Sequence, residues 1–153
     1  MRIIVVSDSH GLRRELREVR EKYPLADAYL HLGDSELSPS ELDGWQSVKG
    51  NNDYYSYPNE LVVTVGDIRI YMAHSHLFDY SNRILKLARQ AKLNECDLAL
   101  FGHSHVFYHD VHEGVLCVNP GSLRYNRDRT SPSYAIIDID SDKKIEVQRI
   151  NLE

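Results

Sequence analysis

The sequence predicts an α/β fold of two mixed β-sheets packed together, with helices on their outer faces, and three observations predict it. Arg2-Ile3-Ile4-Val5-Val6 is a β-branched, nearly continuous apolar run, the pattern of a strand buried on both faces. A strand, a helix and a strand follow one another through residue 32, which makes a right-handed βαβ unit with parallel strands. Hairpins with one helix between them make up the rest, an order that favours two packed sheets.

The elements follow from local pattern. Leu12 to Lys22 carries helix formers, with Leu12, Leu16 and Val19 as an apolar stripe, and Pro24 ends it. Ala28 to Leu32 reads as the second strand, Ser38 to Asp43 as a short helix, and Trp45 to Val48 as a brief strand. Leu61 to Val65 and Ile68 to Ala73 form a hairpin across Gly66-Asp67. Tyr80 to Leu93 is an amphipathic helix, and Leu98 to Phe101 is a buried strand. Val106 to Val111 and Val115 to Val118 pair around Glu113-Gly114, and Asn119-Pro120-Gly121-Ser122 closes that hairpin as a turn. After a charged surface loop over 123–132, Tyr134 to Ile139 and Lys144 to Ile150 make the last hairpin.

Composition narrows the function. The 153 residues, 42% hydrophobic and 27% charged, read as one globular domain over 1–153 with room for a sizeable core. No run is long enough to span a membrane and the start lacks secretory features, so the expected location is the cytoplasm. Cys96 and Cys117 lie far apart in apolar surroundings and read as buried and inert. A net charge of −5 argues against long nucleic acid, yet two divalent cations would leave −5 + 4 = −1, which admits a small anionic substrate.

Five strand ends carry metal-capable side chains: Asp8 and His10, Asp34, Asn51, His74, then His103 and His105. On extended backbone, residues two apart point the same way, so Asp8 and His10 can reach one point. A cap is the plainer role for Asp8 or Ser9, and any one of these residues alone has such an ordinary explanation. Together they lie where open α/β sheets form their sites, beyond the carboxyl ends of strands. Seven groups are too many for one cation and suit two. Imidazole, carboxylate and amide without thiolate suit manganese, iron, nickel or zinc, and suit calcium poorly.

The ordered motifs Asp8-Ser9-His10, Gly33-Asp34, Gly50-Asn51-Asn52-Asp53, His74 and Gly102-His103-Ser104-His105 resemble those of the calcineurin-like metallophosphoesterases. With the short length and Asn119-Pro120-Gly121-Ser122, they are similar to the compact YfcE-type phosphodiesterases. The resemblance implies a four-layer αββα sandwich of two mixed sheets. It implies two divalent ions per chain, manganese first, with nickel, iron and zinc as alternatives. Asp8, His10 and His105 would hold one ion, Asn51, His74 and His103 the other, and Asp34 would bridge them. Asp53 would orient a ligand. A bridging hydroxide would attack a phosphodiester in line. Family members often pair as homo-oligomers.

Asn52 stands where many members of the superfamily have a histidine that protonates the leaving oxygen. An amide cannot supply that proton at neutral pH, so leaving groups that need little protonation are expected. His76 could serve as the acid or replace His74 as ligand. His31 reads as packed or hydrogen-bonded, and His109 and His112 as exposed. Tyr54, Tyr55 and Tyr57 fit a site mouth, a buried loop or a subunit contact. Arg124, Arg127 and Arg129 fit phosphate binding or a plain charged surface. The rival functions are a protein-binding scaffold of the same fold, and a phosphomonoesterase or nuclease acting on small nucleotides.

Overall fold

The computed structural model describes residues 1–152. Its elements are β1 (Arg2–Val6), α1 (Arg14–Lys22), β2 (Ala28–His31), β3 (Gln46–Ser47), β4 (Glu60–Val65), β5 (Ile68–Ala73), α2 (Arg83–Leu93), β6 (Leu98–Leu100), β7 (Phe107–His112), β8 (Val115–Pro120), β9 (Ser133–Ile139) and β10 (Ile145–Asn151). Two mixed five-stranded sheets result, ordered β10-β9-β1-β2-β3 and β4-β5-β6-β8-β7. In the first, β1, β2 and β3 run parallel, with Val6 beside His31 and His31 beside Ser47. In the second, β5, β6 and β8 run parallel, with Met72 beside Leu100 and Leu100 beside Val118.

The period of two along each strand builds four layers. Ile3 and Val5 of β1 face inward with Leu30 and Leu32, and they meet Ile70, Met72, Leu98 and Leu100 of the second sheet. Ile4 and Val6 face outward onto Leu16 and Val19 of α1. On the far side, Tyr71, Ala99 and Cys117 face outward onto Leu87, Ala88 and Ala91 of α2. Both strand faces are therefore apolar, which is why β1 shows no alternation in sequence.

Several boundaries differ from expectation, each for a local reason. The first helix starts at Arg14 because Leu12 N–H closes a turn on the Ser9 carbonyl, and no side chain caps it. Neither Asp8 nor Ser9 is a helix cap. Residues 38–43 make no helix. Glu41 Oε1 accepts from both the N–H and Oγ–H of Ser38, and the chain turns away at Gly44, whose φ is +88°. The second helix starts at Arg83, three residues later than Tyr80, because Asn82 sits at φ +56°. The third strand shortens to Gln46–Ser47 and the sixth stops at Leu100, while β8 runs on to Pro120. The strand expected over Val106 to Val111 lies one residue later.

Cys96 and Cys117 are buried free thiols, and burial pushes Cys117 up to about 12. His109 is exposed, whereas His112 is half-buried, its Nε2 2.6 Å from the Tyr108 hydroxyl. Among the described residues no helix is long and apolar enough to cross a membrane.

Candidate metal centre

Strands β1, β2, β3, β5 and β6 all run toward one edge of the two sheets, and the turns beyond them hold the seven candidate ligands. The backbone there is not extended. Asp8, His10, Asp34, His103 and His105 have φ values of 52°, 44°, 59°, 73° and 57°. This corrects the expectation that Asp8 and His10 converge by strand alternation: tight left-handed turns aim them. Asp, Asn and His tolerate that region better than other residues, and such strain clusters at functional sites.

Asp8 is the hub. Its Oδ2 accepts from Ser7 Oγ–H at 2.6 Å and from the His103 N–H at 3.1 Å. Its Oδ1 is buried with no hydrogen-bond partner. That oxygen lies 3.2 Å from His105 Nε2, 3.7 Å from His74 Nε2 and 4.0 Å from His10 Nε2. Burial works against the Asp8 charge, but the two buried imidazoles and Ser7 outweigh it and hold the carboxyl below its usual range.

The three rings are fixed from behind. His74 Nδ1–H donates to the Leu32 carbonyl at 2.7 Å, and His105 Nδ1–H to the Tyr125 carbonyl at 3.0 Å. His10 Nδ1 lies 2.8 Å from Glu36 Oε2 and donates to it. A carbonyl can only accept, so His74 and His105 each carry a proton on Nδ1. Nε2 of each ring is thereby left facing the hub, where a neutral ring offers a lone pair to a cation. His10 Nε2 and His105 Nε2 face one another at 3.3 Å. Three ring nitrogens gathered around an unpartnered carboxylate oxygen fit a cation.

The second cluster is built around His74. Its Nε2 lies 3.1 Å from Asn51 Oδ1 and 3.4 Å from Asp34 Oδ2. Asn52 holds both oxygens of Asp34, through its N–H and its Nδ2, at 2.9 Å each. Burial opposes ionisation of Asp34, but His74 and Asn52 hold it well below the usual range. Burial also opposes the charge on His74, and Asp34 and Asp8 reverse that into an upward shift. The ligand atoms of Asp8, His10 and His105 lie within 4.8 Å of one another, as do those of Asp8, Asp34 and His74. Asp8 is thus common to both groups. His103 stands beside them, its ring 5.1 Å from that of His74, and burial pushes it down to about 4, with help from His74.

Asp53 holds the loops together: Oδ2 accepts from the N–H of Asp34 at 2.9 Å and of Gly50 at 2.7 Å, and Oδ1 from Glu36 N–H at 2.8 Å. His76 packs 5.4 Å from the His74 ring, with its Nδ1 buried and unpartnered. Burial, then the nearby His74, pushes it down. Gly50 and Gly102 supply space. A Cβ on Gly50 would lie 2.0 Å from Asp34 Oδ1, and one on Gly102 would lie 2.1 Å from Ser7 Oγ.

Reading the sequence missed Ser7, Glu36 and Ser122, whose Oγ–H donates to the Asp8 carbonyl at 2.8 Å. Ser122 lies within a stretch read as a turn and as part of the family resemblance but given no role at the site, and nothing in sequence flags Glu36. His31 is buried, with Nε2 2.9 Å from Ser9 Oγ and Nδ1 accepting from Gly33 N–H at 3.1 Å. Tyr57 buries its loop, donating to the Leu37 carbonyl at 2.7 Å, while Tyr54 and Tyr55 are exposed.

The calcineurin-like phosphoesterase superfamily domain matches residues 1–142. A probable metallophosphoesterase, YsnB of Bacillus subtilis, is 36% identical over 146 residues, which cover 93% of this chain and 86% of that one. The crystal structure of a predicted phosphoesterase from Streptococcus pneumoniae superposes with a TM-score of 0.91 at 39% identity, covering 98% of this chain and 88% of the other. Two more distant structures share the fold over 100% of both chains: Vps29 of Entamoeba histolytica complexed with zinc (TM-score 0.74, 20% identity) and the phosphoesterase YfcE of Escherichia coli (0.68, 19%).

Proposed function

The chain belongs to the calcineurin-like phosphoesterase superfamily, and from that premise we propose that it is a phosphodiesterase using two divalent cations, manganese first, then nickel, iron or zinc. One observation carries the reading: the buried, unpartnered Oδ1 of Asp8, with three imidazole nitrogens turned toward it. Asp8, His10 and His105 would hold one ion, Asn51, His74 and His103 the other, with Asp34 shared. When bound, such ions acidify water and neutralise phosphoryl oxygens.

The chain's own residues keep the donor atoms in place. Ser7 and the His103 N–H pin one oxygen of Asp8, leaving the other for the cation. Glu36, the Leu32 carbonyl and the Tyr125 carbonyl hold the rings by Nδ1. Asp53 fixes the backbone under Asp34. Asn52 spends its amide on Asp34, and an amide gives no proton to a leaving oxygen. His76, the other candidate acid, is held toward its neutral form by burial. The favoured substrates are therefore small diesters with stable leaving groups, such as aryl phosphodiesters. The same reading places the protein in the cytoplasm and allows a homodimer.

Chelator-stripped protein, given manganese, nickel, zinc or magnesium, should cleave bis-p-nitrophenyl phosphate faster than p-nitrophenyl phosphate. Equal or faster cleavage of the monoester removes the diester assignment. Silence with every metal, despite bound ions, supports a protein-binding scaffold instead.

A further inference from the structure

The segment from Ser122 to Arg127 runs along the mouth of the metal centre and touches it repeatedly. Ser122 bonds the Asp8 carbonyl, Tyr125 accepts from the His105 ring, and the Arg127 N–H donates to the His105 carbonyl at 3.0 Å. Its two arginines reach the same turns with their side chains. Arg124 Nη1 donates to the His10 carbonyl at 3.1 Å, and Arg127 Nη1 to the His103 carbonyl at 3.5 Å.

Both residues are exposed. Among the described residues neither forms an ion pair, whereas Arg2, Arg13, Arg14 and Arg89 each meet a carboxylate. Glu36, the acid at the same mouth, is taken by His10. A guanidinium has five N–H donors, and one spent on a carbonyl leaves four for a ligand. In a chain of net charge −5, two unpaired guanidinium groups tethered to one site make a local positive spot against the general trend.

We propose that Arg124 and Arg127 form an anion clamp beside the metal centre, selecting phosphate esters that carry a second phosphate or equivalent anionic group. This rests on the phosphoesterase reading of the centre. Cations held by the ring nitrogens would neutralise the scissile phosphate. The clamp is anchored at the main-chain carbonyls of two of those histidines and not at their rings, so it meets a different part of the substrate. Planar guanidinium forks suit a further phosphate, which they can grip bidentately. Arg129 is exposed and, among the described residues, makes no side-chain hydrogen bond to the ligand turns, so it stands outside the clamp.

The test compares two esters of metal-loaded protein that share a scissile bond: thymidine 5′-(p-nitrophenyl phosphate), and the same compound with a 3′-phosphate. The added phosphate should lower KM roughly tenfold, the size of one charge-assisted hydrogen bond. The Arg124→Gln/Arg127→Gln double variant should bring that ratio close to one, the matching lysine variant should keep part of it, and Arg129→Gln should keep all of it. Calorimetry with adenosine 3′,5′-bisphosphate against adenosine 5′-monophosphate reads the same preference without turnover. Equal KM and equal affinity in the parent protein overturn the clamp, whatever the variants do, and so does a double variant that retains the full ratio. If neither ester is cleaved but the bisphosphate still binds more tightly, the clamp stands and the phosphoesterase reading falls.

Discussion

Asp8 Oδ1 and His105 Nε2 stand 3.2 Å apart in a buried site, close enough to share a single positive charge. The imidazole has already committed its Nδ1–H to the Tyr125 carbonyl, and the carboxylate oxygen has no hydrogen bond at all. A buried unpaired carboxylate is costly, so this pair takes a positive charge, a proton on the ring in the metal-free protein or a cation that displaces it.

Removing that charge should therefore remove the metal. Asp8→Asn presents an uncharged amide to the imidazole nitrogens, and hydrolysis should drop by at least about a hundredfold, with metal content falling in parallel. The circular dichroism of the variant should stay that of the parent, since Asp8 belongs to no core cluster. Elemental analysis and activity on the same sample check both halves.

Glu36 acts on the cation only through His10, whose Nδ1 lies 2.8 Å from its carboxylate. Glu36→Gln keeps a hydrogen bond to the ring but loses the negative charge behind it. Glu36→Ala loses both. Metal affinity should fall in the order parent, Gln, Ala, reaching about 10- to 100-fold for Ala by isothermal titration.

Gly102→Ala tests the close approach of the two ligand turns. Its Cβ would stand 2.1 Å from Ser7 Oγ and 2.9 Å from Asp8 Oδ2. Overpacking of this kind costs about 1–3 kcal/mol, and in a chain of this size Tm should fall by several degrees. Because the displaced atom is the one that pins Asp8, metal affinity should fall as well. A variant with parental Tm and affinity would show that the loop yields freely.

His31 gives the metal-free protein a pH signature. Burial pushes it from the ordinary 6.5 to about 4, with Asp8 opposing the shift only in part. Between those two values the unfolded chain binds a proton that the folded chain does not, so stability rises with pH through this window and is lost as pH falls through it. The full shift corresponds to about 3 kcal/mol. His103 contributes with the same sign. The pH 7 to pH 4.5 difference in urea midpoint should therefore shrink, not vanish, in His31→Gln.

The ligands were legible because each follows an apolar strand whose end is marked by glycine or a polar turn. Asp8, Asp34 and His74 needed only that signal. Their geometry was not legible. The left-handed backbone at Asp8 and His10 is imposed by hydrogen bonds to the neighbouring turn, Asp8 N–H to the Gly33 carbonyl at 3.0 Å and His10 N–H to the Asp34 carbonyl at 3.0 Å. No local pattern encodes a partner 24 or 25 residues away. Glu36 and Ser7 were invisible for the same reason, since their roles come from contacts and not from periodicity. The helix expected over 38–43 failed because a single turn, closed by Glu41 on Ser38, satisfies the same residues.

Metal stoichiometry tied to activity tests the central claim most directly. Chelator-stripped protein should take up two manganese ions per chain by calorimetry and elemental analysis, and hydrolysis of bis-p-nitrophenyl phosphate should return in step with them. Full activity with a single ion, or two ions bound with no phosphoester cleaved, would contradict it.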